Sequence, residues 1–355
     1  MSTRVIDGVV GGPKTLSIMP TYTCTAACSD CGTLSSPRER SRLPISVIKS
    51  AIRQAKQLGF ANVVFTGGEA TLRWRDLLEG LSFARELGLP TRLVTNAHWA
   101  ATPERAQERL RVLIDAGLDE VNYSTGDEHI RFVPLERVVH ASVAAIRADI
   151  PVIVMVELRR QRAVTAEMIR GHPLIQMLGE DVNRLKINES AWMPLDPAVS
   201  ADYASQDVVV AANLHTRRGC DHVLRTYTVQ ADGNVGACCG LGLRTIPELN
   251  PVTASGEDFL ERAVAESEED FLKLWIHYFG PERILAWAAE KDSAISWEGR
   301  YAHPCQACGR LYKDQRVRSV IREHYAEMVS IVLQSAWLDD RYTQQALSAR
   351  NSGCR

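Results

Sequence analysis

The chain has 355 residues, 45% of them hydrophobic and 24% charged, with a formal net charge of −2 and nine cysteines. That composition buries a core large enough for about two domains, while the near-neutral balance excludes long-range attraction to nucleic acid or to an anionic membrane. The sparse, odd cysteine count is unlike a secreted disulfide framework, "MSTRVIDGVVGG" lacks a signal-peptide core, and no run of about 18 apolar residues occurs to span a bilayer, so the expected location is the cytoplasm, where thiols stay reduced.

Strand patterns come first at "TLSIM" (15–19), "NVVFT" (62–66), "TRLVT" (91–95), "DEVNYS" (119–124), "PVIVMVEL" (151–158) and "NRLKIN" (183–188). Helix patterns alternate with them. In "PISVIKSAIRQAKQLG", Val47, Ile48, Ala51, Ile52, Ala55 and Leu58 share one face between Pro44 and Gly59. After the first interval of 47 residues the strands begin 29, 28, 32 and 32 residues apart, the period of parallel strands joined by helical crossovers. A plain doubly wound sheet is one solution; a partial (β/α)6 TIM-like barrel fits six such units better. The excess in the first interval is a cysteine-bearing loop at the carboxyl end of strand one, where parallel α/β folds bind ligands.

Beyond Pro194 the pattern changes. "TYTVQADGNVGACCG" (226–240) reads as a hairpin around Asp232-Gly233. Long helices are expected over 256–279, from Pro281 to Lys291, and from Asp314 to about Leu338, where the tail folds back on the barrel. The expected organisation is an N-terminal extension (1–14), the barrel (15–195), a small α+β domain (196–312), and a C-terminal helix and tail (313–355) ending in a frayed "SARNSGCR".

The loop sequence "CTAACSDC" sets Cys24, Cys28 and Cys31 within eight residues, with no fourth Cys and no His nearby. A closed zinc site needs four ligands. Three thiolates suit a cubane iron-sulfur cluster with one iron left free for a small molecule. At the end of strand two, "GGEAT" adds two glycines that let backbone approach a ligand and a carboxylate, Glu69, able to accept from an ammonium group.

Cys24-x-x-x-Cys28-x-x-Cys31 followed by Gly67, Gly68 and Glu69 resembles the radical S-adenosylmethionine (radical SAM) superfamily. The resemblance implies a 4Fe-4S cluster on the three cysteines, with S-adenosylmethionine chelating the fourth iron. Its reductive cleavage would yield a 5′-deoxyadenosyl radical that removes hydrogen from a substrate. Thr95, Asn96 and Ser124, at the ends of strands three and four, are candidates to meet the cofactor, and Arg159 or Arg160 to pair with its carboxylate. Asp127, Glu128 and His129 are candidate catalytic or substrate groups at the barrel mouth, although an acidic helix start accounts for them equally. The family's usual aromatic residue before the last cysteine is Asp30 here, which leaves an adenine contact unassigned.

A second set, Cys220, Cys238 and Cys305-x-x-Cys308, resembles the auxiliary-cluster domains called SPASM (two clusters) or twitch (one cluster); with no cysteine soon after Cys308, the single-cluster pattern is favoured. Four cysteines also make a zinc site, so zinc stays open for this set. Cys239 is read as a small buried hydrophobe or a substrate contact, and Cys354 as idle.

Enzymes resembling this arrangement commonly crosslink, oxidise or epimerise ribosomally made peptides. The alternatives are a radical SAM dehydrogenase or rearranging enzyme acting on a small molecule, and a two-cluster electron carrier, which would have no use for an open iron. An external reductant such as flavodoxin or ferredoxin is expected. With about fifteen residues before strand one, leader capture is expected to fall to a separate protein or to another surface of this chain.

Overall fold

The computed structural model describes residues 10–199 and 202–352. Most of the expected N-terminal extension, and Cys354, lie outside them. Six parallel strands alternate with helices in the first half: β1 Thr15–Ile18, α1 Ile45–Gln57, β2 Asn62–Phe65, α2 Trp74–Glu86, β3 Thr91–Thr95, α3 Pro103–Ala116, β4 Glu120–Thr125, the short α4 Asp127–Ile130, α5 Leu135–Arg147, β5 Val152–Leu158, the short α6 Ala166–Arg170 and α7 Pro173–Gln176, and β6 Leu185–Ala191. The architecture is the expected partial α/β barrel. Each expected strand is present within two or three residues of its pattern.

Helix α1 shows why the pattern was readable. Ile48, Ala51, Ile52 and Ala55 are buried on one face, Pro44 opens the helix, and Gly59 leaves it at φ +73°, a conformation glycine adopts without strain.

The second half contributes β7 Thr226–Val229, β8 Asn234–Gly236, β9 Val252–Thr253, α8 Phe259–Glu268, α9 Phe271–Phe279, α10 Pro281–Lys291, α11 Pro304–Lys313, α12 Gln315–His324 and α13 Ala326–Ser352. All nine strands form one sheet in the order β6-β5-β4-β3-β2-β1-β7-β8-β9. Thr15 of β1 faces Asn62 of β2 on one side and Thr226 of β7 on the other, both parallel. The expected hairpin therefore extends the barrel's own sheet.

Packing follows the sheet. The first core joins Leu16, Ile18, Phe65, Leu93, Val121 and Val154 to Tyr227, Val235, Val252, Phe259 and Leu260, so β7 to β9 and α8 share the barrel's apolar interior. A second core gathers Trp275, Ile284, Leu285, Leu311, Val317 and Val332 from α9 to α13. The expected division at 195/196 thus does not coincide with the division between cores.

Two long helices are each split. The 256–279 helix breaks at Asp270, whose side chain accepts from the Leu272 and Lys273 amides at 2.9 and 3.3 Å and so starts α9 afresh. The 314–338 helix divides at Tyr325, and α13 continues to Ser352. This tail packs on α9 and is tied by an Arg225–Asp339 ion pair of 2.9 Å, which sets it against the second core. No helix among the described residues is long and apolar enough to cross a membrane.

Candidate functional site

The cysteine loop leaves β1 and runs beside the end of β2. The Gly68 and Glu69 amides donate to the carbonyls of Thr21 and Thr23, both at 2.9 Å, so the two segments pair like short parallel strands. The glycines make this possible. A Cβ on Gly67, itself at φ +114°, would lie 2.7 Å from the Thr21 oxygen, and one on Gly68 only 2.4 Å from that of Thr23. The close backbone approach that the glycines allow is thus to the chain's own cysteine loop. Gly68→Ala is expected to cost about 1–3 kcal/mol through this overlap and to lower the melting temperature by several degrees; an unchanged thermal melt would show that the segments separate freely.

Cys24, Cys28 and Cys31 face a cavity of about 280 Å3 at the carboxyl ends of the six parallel strands. Gly67 and Gly68 after β2, Thr95 and Asn96 at β3, Ser124 at β4, Met155 to Glu157 on β5, and Ser190 to Trp192 at β6 complete its wall. Asn96 donates from Nδ2 to the Thr25 hydroxyl at 3.0 Å and lies 3.7 Å from the Cys24 sulfur.

Glu69 sits elsewhere than expected. Its carboxylate is buried and already engaged: Oε1 accepts from the Thr71 amide (3.2 Å), the Thr71 hydroxyl (2.6 Å) and the Thr95 hydroxyl (2.8 Å), and Oε2 from the Asn96 amide (2.9 Å). It does not line the cavity; it locks the β2 and β3 ends, with Thr95 and Asn96, into position around it. Buried polar groups are stable only when hydrogen-bonded, and four donors satisfy this one.

Of the three mouth candidates, His129 alone lines the cavity. Asp127 accepts from the Ala163 and Val164 amides at 2.9–3.1 Å and so clasps a loop. Glu128 accepts from the Ser29 amide at 3.0 Å, tying the mouth to the cysteine loop. Burial works against its charge, but the Ser29 amide together with Arg131 and Arg159 outweighs burial and holds its carboxyl below the usual carboxylate value.

Sequence reasoning missed Glu157. It is buried on β5, accepts from the Glu128 and His129 amides at 3.0–3.2 Å, and meets His129 Nδ1 at 2.8 Å. The pair fixes the orientation of the His129 ring against the β5 carboxylate. Gly126 is required beneath it, since a Cβ there would come within 2.4 Å of Glu157 Cγ. The available signal was a lone carboxylate in an otherwise apolar strand.

Arg159 pairs with Glu128 and Glu157 at 3.5 Å and lies over the Trp192 ring at 5.3 Å. Together with Arg160 and Asp30 it lines an adjoining cavity, which shares Trp192 with the main one. Asp30 accepts from the Leu195 amide at 3.1 Å.

The second cysteine set also converges. Cys220, Cys238, Cys305 and Cys308 line a separate cavity of about 180 Å3 with His222 and His303. The Gly240 amide donates to the Cys238 sulfur at 3.4 Å, and a Cβ on Gly240 would stand 3.3 Å from the Cys305 sulfur. Cys239 lies outside this lining.

Both donor sets suit thiolate-held metal. Burial above all raises the Cys24 thiol to about 11 and those of Cys28 and Cys305 to about 12, and it lifts Cys238 and Cys308 well above the usual value. Such thiols stay neutral until a metal cation displaces their protons. Amides already point at several sulfurs: Ala26 at Cys24 (3.4 Å), Ser35 at Cys31 (3.5 Å) and Gly240 at Cys238 (3.4 Å). Among the described residues no three His, Cys, Asp or Glu side chains draw close enough to chelate a single ion.

Residues 18–156 match the model of the Radical SAM superfamily. The chain is 34% identical over 115 residues to the PqqA peptide cyclase of Rhodopseudomonas palustris, covering 32% of this chain and 29% of that protein. It is 24% identical over 177 residues to YydG of Bacillus subtilis, covering 50% and 54% respectively. The chain thus spans about half or less of the length of these relatives. Its fold resembles that of anSMEcpe, solved with bound AdoMet and Cp18Cys peptide, at a TM-score of 0.51 and 13% identity, covering 90% of this chain and 99% of that one.

Proposed function

From a chain that carries a radical SAM domain over residues 18–156, we propose an enzyme that cleaves S-adenosylmethionine reductively and modifies a ribosomally made peptide. The observation that carries this reading is the gathering of Cys24, Cys28 and Cys31 with Gly67, Gly68, Asn96 and Ser124 around one cavity at the strand ends. Cys24, Cys28 and Cys31 would hold the 4Fe-4S cluster. When bound, the cluster and S-adenosylmethionine supply the 5′-deoxyadenosyl radical that takes hydrogen from the substrate.

The chain's own residues do the rest. Val94, Met155, Val156 and Ala191 give the cavity an apolar wall that keeps water from a reactive centre. Trp192, whose indole N–H is buried without a partner among the described side chains, offers the aromatic surface and donor that Asp30 does not. His129, oriented through Nδ1 by Glu157, presents its imidazole at the cavity wall as the candidate group for proton transfer with the substrate.

Cys220, Cys238, Cys305 and Cys308 would hold an auxiliary 4Fe-4S cluster. Their gathering around one cavity of about 180 Å3, with more room than a single ion fills, supports this reading. A peptide substrate is supported by the likeness to PqqA peptide cyclases, and an external flavodoxin or ferredoxin, a separate leader-binding protein and a reducing cytoplasm complete the proposal.

The test uses anaerobically reconstituted protein. Dithionite and S-adenosylmethionine should yield 5′-deoxyadenosine, and co-expression with a short peptide gene lying beside this one should change that peptide's mass. No 5′-deoxyadenosine would leave an electron carrier; cleavage with an unaltered peptide would remove the peptide substrate and keep the radical chemistry.

A further inference from the structure

One residue touches both metal-binding regions. Leu241 lines the main cavity and the auxiliary cavity alike. The preceding Gly240 amide donates to the Cys238 sulfur at 3.4 Å, and a Cβ on Gly240 would stand 3.3 Å from the Cys305 sulfur. The Leu241 side chain lies against Gly32, the residue after Cys31, so closely that a Cβ on Gly32 would stand 2.3 Å from Leu241 Cδ2.

The surrounding contacts keep this arrangement in register. The Gly242 amide donates to the Gly32 carbonyl at 2.8 Å. Arg244 donates to the carbonyls of Thr33 and Leu34 at 3.3 and 2.9 Å and lies 3.8 Å over the Tyr22 ring. The loop that directs the Gly240 amide onto Cys238 is therefore seated on the loop that carries the first cysteine set.

We propose that Leu241 is a positioning residue that couples the two metal sites: its seat on Gly32 fixes the neighbouring Gly240 amide on Cys238, and so sets the reduction potential of the cluster that cysteine helps to hold. This rests on the two-cluster reading above. Amide hydrogen bonds to ligand sulfurs stabilise the extra negative charge of a reduced cluster and raise its potential. Loosening the seat weakens the Gly240 bond to Cys238 and lowers that potential.

The experiment is a redox titration of the reconstituted full chain followed by electron paramagnetic resonance, with iron counted in every sample. Leu241→Ala keeps the amide but empties the notch. Its auxiliary signal should titrate at a more negative potential than wild type while iron stays the same. Gly32→Ala, which presses on Leu241 from the opposite loop and touches none of the four auxiliary cysteines, should move that signal too, and Leu241→Met should restore it. A variant that only loosened packing would melt earlier without moving a potential. An unmoved auxiliary potential in a fully loaded Leu241→Ala protein overturns the inference alone. Wild-type protein that loads only half the iron, with one signal, overturns the two-cluster reading and this inference with it.

Discussion

Replacing Cys24, Cys28 and Cys31 together by Ala should reduce reconstituted iron from about eight to about four per chain and abolish 5′-deoxyadenosine formation, on a count of two cubanes with four irons each. The argument is one of ligands. Each of the three thiols faces the same cavity, and the loop offers no other Cys or His to stand in. The fold should survive, because the loop is pinned by its backbone: Cys24 donates its amide to the Ser36 carbonyl at 3.1 Å, Leu43 donates to Pro20 at 2.9 Å, and Gly68 and Glu69 donate to Thr21 and Thr23. None of those bonds uses a sulfur. Iron analysis and chromatography of the reduced reaction check both halves. A triple variant that still bound about eight irons would mean that the cluster is held elsewhere.

The same contrast explains what the sequence disclosed. The strands bury alternate residues, and Val63, Phe65, Leu93, Val121 and Val154, all fully buried, supply the apolar signal by which they are read. The three thiols and the two glycines were legible because their chemistry is local. Pairing between β1 and β7 was not, since it joins Thr15 to Thr226 and no local periodicity encodes a partner so distant.

Asp270 shows a different limit. The apolar period runs through 256–279 without interruption, yet a capping carboxylate competes with the helix backbone and divides it. Glu69 was legible as a residue, but its protein partners Thr71, Thr95 and Asn96 were not, since they come together only when β2 and β3 end side by side. Glu157 and Trp192 became visible only when β5 and β6 brought their ends to the cavity. Leu241 is the extreme case, because nothing in an isolated leucine marks it as the contact between two loops about 200 residues apart in the chain.

Cys305→Ala should separate the two halves of the chemistry. Iron should fall to about four per chain while reductive cleavage of S-adenosylmethionine persists and peptide product is lost. The first site should tolerate the change, since its loop is held to β2 and to residues 36–43 by bonds that do not involve α11. The helix should tolerate it as well. Pro304 opens α11 and His303 Nδ1 accepts from the amide of residue 305 at 3.1 Å, a cap that depends on the backbone and not on the sulfur. What the variant removes is one corner of the donor set around the auxiliary cavity, and three thiols of a set closed by four leave the site open to solvent and oxidant. Any electron released by the oxidised substrate then lacks its acceptor. Full product formation at half the iron would show that the second site is structural, and loss of cleavage along with product would show that the two sites cannot be separated in this way.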